Sequence, residues 1–252
     1  MSLLRAFLNG WTWRMAWRDT RASRAKLLLF SSSIVIGIAA LVAISSFGQN
    51  LRATIETQAK SLLGADLALT SRDPFTPEME DLFRKIGGEQ SREVIFSSMV
   101  FFPKSGGTRL VQVRALGKGF PYYGEFETEP SSAFGSFHQQ KGALVEQTLQ
   151  MQFNSKAGDP VKVGQLELPI AGSILKIPGE NAMFSTIAPR VYIPLNLLEQ
   201  TALLREESLA RYKVFFKFPP SKDVEALVRR YRPEFEKLNL NPDTVEERKA
   251  DL

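Results

Sequence analysis

Residues 21–56 read RASRAKLLLFSSSIVIGIAALVAISSFGQNLRATIE, and no charged side chain lies between Lys26 and Arg52. Leu27 to Phe47 is twenty-one residues. As an α-helix that is about 31 Å at ~1.5 Å per residue, which matches the hydrocarbon thickness of a bilayer. Twelve of the twenty-one are Leu, Ile, Val or Phe and five are Ser. At roughly −0.3 to −0.6 kcal/mol per large apolar residue, insertion is favoured by several kcal/mol before the serines subtract their share. A cleaved signal peptide is the main competitor. Its apolar region is usually only about 7 to 15 residues long, and Ala43-Ile44-Ser45 imitates a cleavage site weakly. A buried helix of a soluble protein would leave the charge pattern unexplained. The reading is an uncleaved transmembrane helix over 27–47.

The charge pattern orients it. The 252-residue chain has a net charge of +5 and a pI near 9.4. Residues 1–26 hold six Lys or Arg and one acid, Asp19, whereas residues 27–252 hold twenty-six of each sign. All the excess positive charge therefore precedes the apolar run. Positive-inside orientation puts the N-terminus in the cytoplasm and everything after Phe47 outside. A nucleic-acid-binding domain would need a basic patch on the folded body, whose net charge is zero, so no nucleic-acid partner is expected. The chain has no cysteine, which excludes disulfides, thiol nucleophiles and Cys-ligated metals.

Within the head, Leu4, Leu8, Trp11 and Met15 recur at helical spacing, and Arg14, Arg18 and Arg21 form a basic stripe. That pattern suits a helix lying at the headgroup level, with Trp11, Trp13 and Trp17 as interfacial anchors and Arg24 and Lys26 completing the basic flank. A short soluble helix packed on a partner protein is the alternative, and both can hold together. Inside the span, Ser33, Gly37 and Ala40 share one face, a small-residue surface on which another helix could approach closely. Beyond it, SSFGQNLRATIETQAKSLLG keeps Leu51, Ile55, Leu62 and Leu63 among polar residues and ends at Gly64, so the helix should continue as a stalk over 48–64.

From Ala65 the signals alternate. ADLALTS reads as a strand, TPEMEDLFRKIGG as a helix capped by Thr76, and EVIFSSMVFFPK with TRLVQVRALG as a hairpin turning at Gly106-Gly107. FPYYGEFETEPSSAFGSFHQQKG lacks a period and reads as loop. GALVEQTLQMQFN is a strand running into a short helix, and DPVKV, QLELPIAGSILK and RVYIP are strands. PLNLLEQTALL reads as a helix, YKVFFKF as a strand, and SKDVEALVRRYRPEF as an amphipathic helix capped by Ser221. The class is α+β: an amphipathic interfacial helix (1–26), one transmembrane helix (27–47), a helical stalk (48–64) and an extracytoplasmic domain (65–235). Residues 236–252, polar and helix-prone, read as a linker toward a further transmembrane helix.

Catalysis has little support. The single histidine, His138, reads as a surface residue, since no G-x-S-x-G turn accompanies Ser131, Ser132 or Ser136. No phosphate-binding G-x-x-x-x-G-K-[ST] loop occurs. Glu78, Glu80 and Asp81 fall in the first turn of a helix, where its dipole favours them. No catalytic, cofactor-binding or metal-ligating residue is assigned. Phe120, Tyr122, Tyr123, Phe126, Phe134 and Phe137 read first as a loop pinned to its own core and second as a surface for a hydrophobic ligand.

Five stretches taken together, MAWRDTRASRAKLLL, LGADLALTSRDPF, GFPYYGEFETEP, GALVEQTLQMQFNSKAGDPVKVGQLELPIAG and IAPRVYIPLNLL, resemble the FtsX-like and MacB-like permease subunits of ABC transporters, YbbP type. The resemblance implies a MacB-type periplasmic core domain. Asp66, Pro121, Tyr122, Gly124, Ala188, Pro189 and Arg190 correspond to structural positions of that domain. It also implies an inner-membrane permease, multi-pass in full, with a periplasmic main domain and no ATPase of its own. Implied partners are a separate cytoplasmic ABC ATPase subunit carrying the ATP and magnesium, the permease's other transmembrane helices, the bilayer and a periplasmic accessory protein. Such permeases have at least four membrane helices, so the chain is expected to be the N-terminal part of a longer permease or one piece of a split one. A self-sufficient single-pass binding or sensor module, and an anchored hydrolase, are the competing readings.

Overall fold

The computed structural model describes residues 10–139, 142–177, 189–204 and 209–250, in two units, Met1–Thr54 and Ile55–Leu252. Helix α1 is assigned from Gly10 to Leu63, with no break between the basic head and the apolar run. Every side chain from Leu28 to Phe47 is exposed, Leu28, Leu29, Phe30 and Ile44 to about 70%. Among the described residues this is the one helix long and apolar enough to cross a membrane. The Ser32 hydroxyl donates to the Leu29 carbonyl at 2.9 Å, which lowers the cost of carrying that serine in an apolar run.

The second unit is built on a mixed sheet. Its elements are β1 (Leu67–Ser71), α2 (Pro77–Ile86), β2 (Glu89–Phe102), β3 (Gly107–Leu116), β4 (Glu127–Glu129) and α3 (Ala133–His138). There follow β5 (Ala143–Glu146), α4 (Gln147–Phe153), β6 (Pro160–Val163), β7 (Leu166–Lys176) and β8 (Arg190–Pro194). The unit ends with β9 (Ala210–Lys217), α5 (Val224–Lys237), β10 (Asn241–Thr244) and α6 (Val245–Ala250). The described strands run β10-β1-β9-β2-β3-β8-β5-β7-β4, and β6 pairs with both β2 and β7. That double pairing closes β2, β3, β8, β5, β7 and β6 into a ring. Its interior is filled by Val100, Phe102, Val113, Val145, Val161 and Val191. The pairs β3–β8 and β5–β7 are parallel and the rest antiparallel.

The two faces of the β1–β9–β2 extension differ. On one, Leu67, Leu69, Val214 and Phe216 pack under α2 and α5 through Phe83, Leu227 and Phe235. On the other, Ala68, Phe215, Leu116, Tyr192 and Leu144 lie with Leu63, Phe120 and Phe137. This second face also carries charge. Glu93 is fully buried and accepts from Arg114 Nε at 2.5 Å, the Arg114 guanidinium lies 5.1 Å from the Tyr192 ring, and Lys213 stands opposite Glu93 across the β2–β9 ladder. Burial pushes the Lys213 ammonium below its ordinary value, against the opposing pull of Glu93.

Most predicted elements are present, and α2 starts as the sequence implies, the Thr76 hydroxyl accepting from Met79 N. Four expectations are corrected. The stretch read as loop over 120–142 contains β4 and α3. PLNLLEQTALL forms two 3-10 turns, Leu195–Leu197 and Glu199–Thr201, because Ala202 turns left-handed (φ 53°) and the Thr201 carbonyl accepts from Gln165 N. Asp223 caps α5, accepting from Ala226 N at 2.8 Å, in place of Ser221. The stretch read as a linker over 236–252 contains β10, an edge strand paired with β1 from Leu67↔Thr244 to Thr70↔Asn241. Pro242 is tolerated there because an edge strand can lack a donor on its open side.

Candidate functional site

The seat of α1 in the second unit is where the expected family positions converge. The last turns of the helix present Ile55, Ala59 and Leu63 at four-residue spacing, with Ala59 and Leu63 buried. Gly64 then ends the helix in a left-handed conformation (φ 70°), its N–H on the Lys60 carbonyl at 2.8 Å. A Cβ at Gly64 would stand 2.7 Å from the Phe120 ring, so glycine is required both for the turn and for the approach of that ring.

Two devices hold this seat. Asp66, 7% exposed, accepts from the Tyr123 hydroxyl at 3.0 Å and from Phe218 N at 2.8 Å through one oxygen, while its own N–H donates to the Phe216 carbonyl. The entry of β1 is thereby tied to the exit of β9 and to the 120–124 loop. That loop in turn straps the helix end. Tyr122 N donates to the Gly64 carbonyl at 2.8 Å, Phe120 stacks on Phe215 with centroids 4.0 Å apart, and Lys60 and Lys217 lie over the rings of Tyr123 and Tyr122. Burial first, then the Asp66 carboxylate, pushes the Tyr123 phenol up to about 12; burial and the charge of Glu89 do the same for Tyr122. A cavity of about 270 Å³ opens beside Asp66, bordered by Glu56, Lys60, Pro219, Pro220 and Val245.

Asp66, Pro121 and Tyr122 thus meet at one place, and Gly124 follows in the same loop, left-handed at φ 78°. Pro189 and Arg190 lie at the far end of β8, where the Pro189 carbonyl accepts from Gln112 N and the Glu146 carboxylate from Arg190 N at 2.8 Å. Ala188 lies outside the described residues, as do the side chains of Trp11, Trp13, Trp17, Arg18, Arg21, Arg24 and His138. Arg14 and Lys26 are exposed, and so are Ser33, Gly37 and Ala40, with no neighbouring atom within 4 Å of a Cβ at Gly37. Sequence reasoning missed Phe218 as a partner of Asp66, because the two are 152 residues apart and a backbone N–H leaves no trace in residue type. The aromatics of the 120–137 stretch point inward: Phe120, Phe126 and Phe137 are at most 9% exposed. Among the described residues no group of His, Asp and Glu could hold a metal ion.

The arrangement ties the end of α1 to the start of β1, the exit of β9 and the 120–124 loop. Truncating Asp66 to alanine removes two hydrogen bonds to a charged acceptor and should cost about 1.5–3 kcal/mol in thermal unfolding, with Tyr123→Phe costing about 1. The protonated Tyr123 hydroxyl is the form that donates, and its folded value lies above the ordinary one. Its contribution is therefore whole below about pH 10 and lost as pH rises through about 12. The stability difference between wild type and Tyr123→Phe should shrink across that window.

The sequence model described as the MacB-like periplasmic core domain matches residues 27–233. The chain is 25% identical over 204 residues to the ABC transporter permease YbbP of Escherichia coli K12, an alignment covering 81% of this chain and 24% of that protein. It thus spans about a quarter of that relative's length. Among solved structures it is similar to the periplasmic region of MacB from Actinobacillus actinomycetemcomitans. That match has 8% identity and a TM-score of 0.48, over 75% of this chain and 93% of that one. It is similar as well to the extracellular domain of the noncanonic ABC-type transporter YknZ from Gram-positive bacteria, with 10% identity and a TM-score of 0.42 over 71% and 98%.

Proposed function

Because the chain belongs to the MacB-like periplasmic core domain family, we infer that it supplies the first transmembrane helix and the periplasmic domain of an ABC transporter permease. A separate cytoplasmic ATPase subunit carries the ATP and magnesium. Its hydrolysis cycle moves the periplasmic domain through α1, for export, extraction or mechanotransmission of a hydrophobic, lipid-like or envelope substrate. The basic head sits at the cytoplasmic face, with Arg14, Arg18, Arg21, Arg24 and Lys26 beside anionic headgroups and Trp11, Trp13 and Trp17 at the interface. The Ser33, Gly37 and Ala40 face receives another helix of the permease.

The observation that supports this reading most is the seating of the helix end. The chain enters the sheet at β1 through the Asp66 tie and leaves it at β10, and the pair Leu67↔Thr244 puts entry and exit side by side. A displacement delivered there acts on the sheet edge directly. A flexible connection would absorb it.

The test is co-purification of the full-length protein with an ABC ATPase subunit from detergent, followed by hydrogen exchange of β1 and β9 with and without ATP. Inserting a short run of glycines between Arg52 and Ala53 should leave the complex intact and abolish the ATP-dependent change in exchange. Failure to recover any ATPase subunit, or an unchanged ATP response in the insertion variant, would overturn the reading.

A further inference from the structure

Three cavities on the domain differ in their linings. The one beside Asp66 is bordered by Glu56, Lys60, Asp223 and Glu246. A second, about 500 Å³, lies past the ends of β1 and β9 and carries Arg72, Asp73 and Arg211. Both are wet, charged clefts. The third, about 280 Å³, is walled by Leu116, Phe137, Pro194, Leu195 and Asn196, and Lys118 is the one charged residue on it among the described residues. Leu116 and Phe137 are each only 2% exposed, so they form its floor. Lys118 is exposed and makes no ion pair with a described residue.

Its place follows from the register. Leu116 pairs with Pro194 where β3 and β8 both end, and Glu93 pairs with Leu116 near the start of β2. That is the end of the sheet at which β1 begins and the last turns of α1 are seated. Gly117 and Lys118 open the loop that continues through Phe120 and Tyr122 to strap Gly64. The cleft and the strap are thus consecutive pieces of one loop.

We propose that this cleft binds the single acyl chain of an anionic amphiphile, a medium-chain fatty acid, whose carboxylate is received by Lys118. An apolar floor of Leu116 and Phe137 beside the exposed Lys118 and Asn196 has the polarity pattern of such a molecule. The volume lies just below the roughly 300–1,000 Å³ typical of small-molecule sites, room for one chain of moderate length and not for the two of a phospholipid. The lone ammonium selects the charged head, because a lysine beside an apolar wall gains more from a carboxylate than from a neutral hydroxyl. The proposal rests on the permease reading only for where the lipid comes from.

The test uses the full chain in nanodiscs of phosphatidylcholine with a diazirine-bearing decanoic acid, photolysed and mapped by peptide mass spectrometry. Adducts are expected on peptides holding Leu116–Lys118, Phe137 and Pro194–Asn196, besides those on the apolar helix. Leu195→Trp, which fills the cleft, should abolish the cleft adducts. Lys118→Glu, at an exposed position that leaves folding intact, should lower them roughly fivefold while leaving labelling by the corresponding diazirine fatty alcohol unchanged. Adducts confined to residues 27–47, cleft labelling indifferent to Leu195→Trp, or equal labelling of wild type by acid and alcohol would each overturn the proposal. So would stronger labelling by a lysophospholipid probe than by the fatty acid. None of these readouts involves an ATPase subunit, so the proposal and the coupling mechanism fail separately.

Discussion

Glu93→Gln is expected to cost about 3–5 kcal/mol of stability, because it breaks an ion pair that has been taken out of water. Glu93 is fully buried and its partner Arg114 is 8% exposed, with Nε and Oε1 2.5 Å apart. Lys213 stands opposite on β9, and burial already holds its ammonium below the ordinary lysine range. Without the carboxylate, both cations lose the charge that offsets their desolvation. Replacing the whole cluster together (Glu93→Met, Arg114→Met, Lys213→Leu) should recover most of the loss, since apolar residues of similar volume commonly substitute for buried ion pairs. Thermal unfolding of the single and triple variants checks this. If Glu93→Gln costs less than about 1 kcal/mol, the cluster is solvated and the burial argument fails.

The second large effect concerns the apolar helix. Two arginines in its middle, Ile36→Arg with Ile38→Arg, should each cost about 2.5–3.5 kcal/mol of insertion, enough together to cancel the several kcal/mol that the apolar residues contribute. Both positions are exposed, at 66% and 57%, so no described residue would shield them. Wild-type protein should stay with the membrane pellet after alkaline extraction and the double variant should leave it. The conservative pair Ile36→Val with Ile38→Val should behave as wild type. Twenty consecutive exposed residues dominated by Leu, Ile, Val and Phe have no counterpart on a water-facing surface, where apolar patches rarely exceed a few hundred Å².

The strands and the long helix were legible because each carries enough residues to show its period. The β2–β3 hairpin spans Glu89–Leu116 with its turn at the predicted glycines, and α2 has its cap, first-turn proline and terminal glycine in place. Strand β4 is Glu-Thr-Glu and holds no apolar residue to mark a buried face, and α3 follows Pro130-Ser131-Ser132 and contains Gly135, so neither stood out from the loop. PLNLLEQTALL had the composition of a helix, but its carbonyl at Thr201 is committed to Gln165 across the β6–β7 turn. Strand β10 contains a proline and three polar residues. Its strand character comes entirely from the open edge of β1 beside it.

The same division holds at the helix seat. Asp66, Pro121, Tyr122 and Gly124 were nameable from the family pattern, yet the meeting of the first three was not, because Asp66 reaches Phe218 N and Tyr123 from far along the chain. The buried Glu93–Arg114 pair had no sequence signal at all. Glu93 and Arg114 lie on the sheet face that also holds Phe120, Phe126 and Phe137.

A helix in the bilayer with the domain outside can be measured on intact cells, because the chain has no cysteine. Single cysteines at two exposed positions, Arg14→Cys and Lys156→Cys, are treated with a membrane-impermeant maleimide on intact spheroplasts and again after permeabilisation. The cysteine at position 156 should label in intact cells and the one at position 14 only after permeabilisation. Labelling of position 14 in intact cells, or protection of position 156, would contradict the account.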